Sequence, residues 1–278
     1  MRSLIVATAL SFAVLAPAWA QVGKAPVRLV PHRAVYDLSL LRSGSTKGVE
    51  SARGRIAMEF GGDACDGYTV KYRQVTVLDI SEGGSRTLDT QTATYESGDG
   101  RSMRFKSSST TQGLVREGID GDAQLRPDGS LDVRFKQPRN DTFAATGQPV
   151  FPTEHMKRLI EKARDGERTY SARVYDGSDD GKKVYETLSV IGNRIEPGAA
   201  GAVEEPARQE ALAKSPRWPV TISYFEEGRA DREPAYTISL ELYENGIARA
   251  LKLDYGEFAL KGDLKSLEVQ PVASACQR

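Results

Sequence analysis

Gly54-Arg55-Ile56-Ala57-Met58-Glu59-Phe60 places Gly54, Ile56, Met58 and Phe60 on one side of an extended chain, and Arg55 and Glu59 on the other. Successive side chains of a strand point to opposite faces, so this two-residue period marks a strand with one buried and one wetted face. The neighbouring segments repeat it. Ala34, Tyr36, Leu38 and Leu40 share a face upstream. Downstream, Tyr68, Val70 and Tyr72 alternate with Lys71 and Arg73. Further strands are predicted over 86–97, 102–110, 113–119, 131–135, 168–175, 184–191, 220–226, 236–243, 247–253 and 258–260.

The turns between them carry fitting chemistry: Gly61-Gly62, Gly83-Gly84, Gly98-Asp99-Gly100 and Pro127-Asp128-Gly129. Asn245-Gly246 between two alternating runs predicts a tight hairpin, because both residues tolerate positive φ. Residues 176–183 form another turn, and 197–219, rich in Ala, Glu and Pro, reads as a connecting arm with one short helix. A succession of short antiparallel strands implies a mainly β fold, as a barrel, sandwich or rolled sheet.

One segment breaks the period. Met156, Leu159, Ile160 and Ala163 recur at helical spacing and form the packing stripe of an amphipathic helix. Thr153 is placed to cap its first turn and Gly166 to end it in a left-handed conformation. A helix of this kind plugs or covers part of the sheet.

The chain begins with Arg2, an apolar stretch over 4–15, the breaker Pro17, and Ala18-Trp19-Ala20. Small residues at Ala18 and Ala20 behind a short apolar run read as a signal-peptide cleavage site, leaving Gln21 as the new N-terminus. The run is too short to span a bilayer, which takes about 20 apolar residues, and no later run is long enough. The expected product is a soluble protein of the periplasm, with 1–20 as signal peptide, 21–278 as the mature chain and no transmembrane segment. Basic and acidic residues balance at 38 each, which gives no electrostatic reason to bind nucleic acid. Two cysteines, Cys65 and Cys276, most simply form one bridge in an exported chain. The alternative of a redox pair lacks a C-x-x-C motif.

Chemistry is hard to find. The chain has only two histidines, His32 and His155. Neither belongs to a zinc motif, and no G-x-S-x-G elbow supplies a nucleophile. Asp176-Gly177-Ser178-Asp179-Asp180-Gly181 resembles the start of a calcium loop, but Thr187 stands where the twelfth-position bidentate Glu is required. A Gly/Asp hairpin turn explains the same residues. No catalytic residue, metal site or cofactor is therefore expected.

Several motifs, in order along the chain, carry a resemblance. They are Leu29-Val30-Pro31-His32-Arg33-Ala34-Val35-Tyr36-Asp37-Leu38, Phe151-Pro152-Thr153-Glu154-His155, Tyr175-Asp176-Gly177-Ser178-Asp179 with Lys183-Val184-Tyr185, Trp218-Pro219-Val220, Glu244-Asn245-Gly246 and Leu253-Asp254-Tyr255-Gly256. Together they resemble the EipB family of periplasmic cell-envelope integrity proteins, once catalogued as a domain of unknown function. The resemblance implies a single rolled antiparallel sheet, a spiral or open barrel, with a helix packed into it. It implies an early and a C-terminal cysteine joined by a disulfide. It implies a non-enzymatic role in cell-envelope integrity. The leading reading is a protein that binds another periplasmic protein through an exposed sheet edge or a concave face; the alternatives are a lipid or lipoprotein carrier and, last, an envelope hydrolase, which lacks a visible nucleophile arrangement. Tyr36, Tyr68, Tyr72, Phe105 and Trp218 are candidates to line a cavity. A deep apolar cavity of several hundred Å3 favours the lipid reading, and a filled interior the protein partner.

Overall fold

A computed structural model describes residues 25–44, 48–115, 118–199, 201, 203–227 and 233–271. The strands are β1 (His32–Ser43), β2 (Val49–Asp63), β3 (Gly67–Ile80), β4 (Gly84–Glu96), β5 (Ser102–Thr111), β6 (Leu114–Val115), β7 (Ile119–Leu125), β8 (Leu131–Gln137) and β9 (Asp141–Ala145). Helix α1 (Pro152–Arg164) follows, then β10 (Thr169–Val174) and β11 (Tyr185–Ile191). A 3-10 turn (Glu205–Arg208) and α2 (Glu210–Ala213) lead to β12 (Arg217–Glu226), β13 (Tyr236–Tyr243), β14 (Ala248–Asp254) and β15 (Phe258–Val269).

All strands belong to one sheet, and every named pair within it is antiparallel. The path runs β10-β11-β12-β13-β14-β15-β1-β2-β3-β4-β5-β7-β8-β9, with β6 attached to β5. The last strand closes on the first, yet β10 and β9 remain as edges, so the sheet is rolled but not sealed.

The alternation that opened the sequence reading sets the inner face. Tyr36 pairs with Ile56 across β1 and β2, and Met58 with Tyr72 across β2 and β3. Three buried clusters result. One gathers Tyr36, Leu38, Ile56, Leu251 and Leu260. A second packs Leu159, Ile160 and Ala163 of α1 against Phe60, Tyr68, Trp218 and Ile222. A third joins Phe105, Leu131 and Phe135 to Phe151 and Tyr175.

Five details depart from the sequence reading. The segment 113–119 falls on two strands: Gly113, at positive φ, turns the chain from β5 back into β6, and β7 begins only at Ile119. Strand β9 went unpredicted because Phe143 is its only large apolar residue. Strand β15 runs on to Val269, far past Leu260; Lys265, an extra residue opposite the Val35–Tyr36 step, breaks its alternation and hid that length. At Asn245-Gly246 only Gly246 takes positive φ; the Tyr243 N–H donates to the Ile247 carbonyl across a three-residue loop, and the Gly246 N–H donates to the Tyr243 carbonyl, both at 2.9 Å. The connecting arm forms two short helical pieces instead of one. Its Ala207 and Leu212 lie against Tyr243 and Ile247.

Candidate functional site

Helix α1 sits at one end of the rolled sheet. Leu159, Ile160 and Ala163 are buried as expected, and Met156 is half-buried at the rim of the same cluster. Thr153 does not cap the helix. Phe151 holds the N-cap position with Pro152 next, a place where proline's missing N–H costs nothing. The free N–H of Thr153 goes instead to Glu96, at the end of β4, at 3.0 Å, and its hydroxyl donates to the same carboxylate at 2.8 Å. Burial pushes the Glu96 carboxyl up to about 7, although these bonds pull the other way. At the other end Gly166, at φ +78°, stops the helix as anticipated.

The strands that meet the helix also line a cavity further along. On β3, Tyr68 packs beside the helix, whereas Tyr72, Gln74 and Thr76 face a cavity of about 620 Å3. On β12, Trp218 and Ile222 belong to the helix end and Glu226 to the cavity. Leu88, Ile238, Leu253, Phe258 and Leu260 supply an apolar wall, and Tyr185, Tyr236 and Tyr255 bring hydroxyls to it. Tyr224 stacks on Tyr236 with centroids 4.4 Å apart, and Tyr185 meets both rings edge-on at 6.0 and 5.8 Å. Burial raises the hydroxyl pKa of Tyr72, Tyr185, Tyr224 and Tyr236, so all four remain neutral donors at ordinary pH.

The turn 176–183 forms the polar end of this cavity. Asp176 accepts the Ser178 N–H and Asp180 the Lys182 N–H, both at 2.9 Å, which is Asx-turn bonding and not a set of ligands converging on an ion. Lys183 bridges Asp179 at 3.0 Å and Glu226 at 2.7 Å, and the Tyr185 hydroxyl donates to Asp179 at 2.8 Å. Gly177 and Gly181 take positive φ, and a Cβ on either would strike Phe105 or Phe135, so this turn is pressed into the third core. Among the described residues no cluster of His, Cys, Asp and Glu could hold a metal.

Of the residues proposed to line a cavity, only Tyr72 does; Tyr36, Tyr68, Phe105 and Trp218 are buried core. Sequence reasoning missed Tyr185, Tyr236 and Tyr255, which sit at strand ends or in turns where alternation is weakest. His155 stacks on Tyr170 and its Nε2 lies 3.4 Å from the Thr187 hydroxyl; burial holds its pKa down at about 4. His32 stacks on Phe60 and bonds the Val30 carbonyl at 2.8 Å. Cys65 stands in the β2–β3 turn, where Asp63 accepts its N–H at 2.7 Å, and no described cysteine is free. Cys276, Ala18, Ala20 and Gln21 lie outside the described residues. No described helix is long and apolar enough to cross a membrane.

A rolled, unsealed sheet plugged by a helix at one end and hollow at the other defines a beta-barrel-like architecture. The chain belongs to the EipB-like family, whose description matches residues 23–271. It is 40% identical over 245 residues to the cell envelope integrity protein EipB of Brucella abortus strain 2308, covering 87% of this chain and 85% of that one. It also resembles the crystal structure of a beta-barrel-like protein of a domain of unknown function from Brucella abortus. That match has a TM-score of 0.80 and 37% identity, and covers 88% of this chain and 100% of the other.

Proposed function

We propose that this is a non-enzymatic protein of the periplasm that supports cell-envelope integrity by holding a lipid-like envelope component in the tyrosine-lined cavity. The name of the Brucella relative supports the envelope role. The observation that carries the ligand is the cavity itself. At about 620 Å3, with apolar walls and a few hydroxyls at one end, it falls in the size range of small-molecule sites, about 300–1,000 Å3. An acyl chain would lie along Leu88, Ile238 and Leu260, and its polar end would meet Tyr185 and Tyr236. In this reading residues 1–20 are removed on export and Cys65 is bridged to Cys276.

A fluorescent fatty acid tests it. The protein is expected to enhance its emission and to release it when phospholipid is added. Ile238→Trp, which fills the cavity from β13, is expected to abolish the enhancement while the protein still melts cooperatively. Wild-type protein that leaves the emission unchanged would remove the lipid reading.

A further inference from the structure

The two edges of the open sheet are unequal, and β10 is the more exposed as a template. The Arg168 carbonyl accepts the Ile191 N–H. Backbone groups of an antiparallel strand alternate sides, so Tyr170 and Ala172 then bond to β11 while Thr169, Ser171 and Arg173 turn theirs to the outer edge. Val150 agrees with this parity: its N–H donates to the Arg173 carbonyl at 2.8 Å, and its own carbonyl accepts the Tyr175 N–H at 3.0 Å. The pairing lasts for one bridge only. Gly147 and Gln148, both at positive φ, turn the preceding chain away.

Thr169 and Ser171 are thus exposed on an edge that carries no proline, lysine or bulge, the usual guards against pairing. A cleft of about 610 Å3 runs beside them, between Gln148, Tyr170 and Arg158 on one wall and Leu188 on the other. Behind Ser171 and Thr169 in register stand Leu188 and Val190, which are 40% and 50% exposed. Arg173 gives one nitrogen to Glu227 at 2.7 Å, but its Nε is buried with no acceptor.

We propose that β10 is a docking edge for an extended, acidic segment of a partner protein, which adds to the sheet as a further strand. Its backbone pairs with Thr169 and Ser171. Acidic side chains on it face the guanidinium groups of Arg158 and Arg173, which line the cleft. A long apolar side chain reaches over Ser171 to Leu188. A lipid offers no row of backbone donors and acceptors for this edge, so the occupant is a polypeptide. Strand β9 serves less well: it has five residues, and its Asp141 is tied to Lys182 at 2.6 Å.

The test uses the full-length mature protein and a fluorescein-labelled peptide that alternates valine with aspartate. A version with lysine in place of aspartate and a version N-methylated at alternate amides serve as comparisons. Saturable binding of the acidic peptide is expected, with amide exchange slowed at Thr169 and Ser171. Ser171→Pro, which removes an edge N–H without touching the β11 ladder, and Arg173→Gln are each expected to weaken binding roughly tenfold or more. The N-methylated and lysine peptides are expected not to bind. An acidic peptide that does not bind would overturn the proposal. So would equal binding of the N-methylated peptide, which needs no protein variant, or protection centred on another strand. None of these outcomes bears on the cavity, whose occupancy is read by the fatty-acid experiment.

Discussion

Glu96 shows how one residue can carry opposing demands. It gives α1 a capping acceptor from a distant strand, and the helix N-terminus favours its charge. Burial opposes that charge more strongly, and the carboxyl rises from 4.5 to about 7, which corresponds to roughly 3 kcal/mol. The folded protein therefore holds this proton more tightly than the unfolded chain does. Stability from Glu96 is present below about pH 4.5 and is lost as pH rises towards 7. His155 runs the other way: its pKa falls from 6.5 to about 4, so its neutral form supports the fold above 6.5 and the support is lost as pH falls to 4. In Glu96→Gln the side chain can still accept from Thr153 but no longer titrates. The melting-temperature advantage of wild type over Glu96→Gln is expected to be largest at pH 4.5 and below and to shrink by pH 8. Parallel melting profiles across that range would show that Glu96 does not titrate there.

At the level of the element, α1 closes what strand pairing leaves open. Leu159 and Ile160 are 2% and 0% exposed, and each truncation to Ala leaves a cavity worth about 2–5 kcal/mol. The double variant Leu159→Ala with Ile160→Ala removes a large share of the 5–15 kcal/mol typical of a domain. It is expected to unfold in thermal melts or to be lost to proteolysis, and to reproduce loss of the gene under envelope stress. Lys157 is not a clean control, since its ammonium is 5.8 Å from the Tyr68 ring and pairs with Glu154 at 3.0 Å. Glu161, exposed on the same helix, is the better one, and Glu161→Ala should melt like wild type. A double variant that also melts like wild type would make the helix a peripheral lid. The helix was legible because its stripe is long and its stop is a glycine. Its start was misread because Glu96, 57 positions earlier, does the capping that Thr153 appeared suited to do.

For the molecule as a whole, the expected disulfide would tie the C-terminal end to the β2–β3 turn. The chain-entropy estimate for so long a loop is about 5 kcal/mol, less any native strain. Intact mass spectrometry of protein from the periplasmic fraction, alkylated after unfolding without reductant, is expected to show a chain that starts at Gln21 and takes up no alkyl group. Full-length protein held in the inner membrane would refute export, and two alkyl groups would refute the bridge. The buried run Glu204–Arg249–Glu241–Arg217 binds the connecting arm to β12, β13 and β14. Arg249→Ala would leave Glu204 without its arginine and Glu241 with Arg217 alone, and chemical denaturation should register a loss of about 1.5–3 kcal/mol.

The period of the side chains determined, without any coordinates, that the protein is mainly β, that one helix interrupts it, and which residues of β1, β2 and β3 face inward. Those are local properties, because every strand residue must choose one of two faces. The cavity is of another kind. Tyr72, Tyr185, Tyr236 and Phe258 come from strands spread over most of the chain, and nothing in their spacing says that the sheet will bend until they meet. Tyr36 and Tyr72 have the same period and similar neighbours, yet one is core and the other lines the hollow. The difference is what distant segments pack over each: the Tyr36 hydroxyl donates to the Ala248 carbonyl at 2.8 Å, in a cluster that also holds Ala207 and Leu212 of the connecting arm. The open edge at β10 is equally a product of topology: a strand carries no local mark of whether its outer side has a neighbour. Pairing of chemical types is written along the chain, while enclosure, edges and cavities depend on which distant segments close on one another.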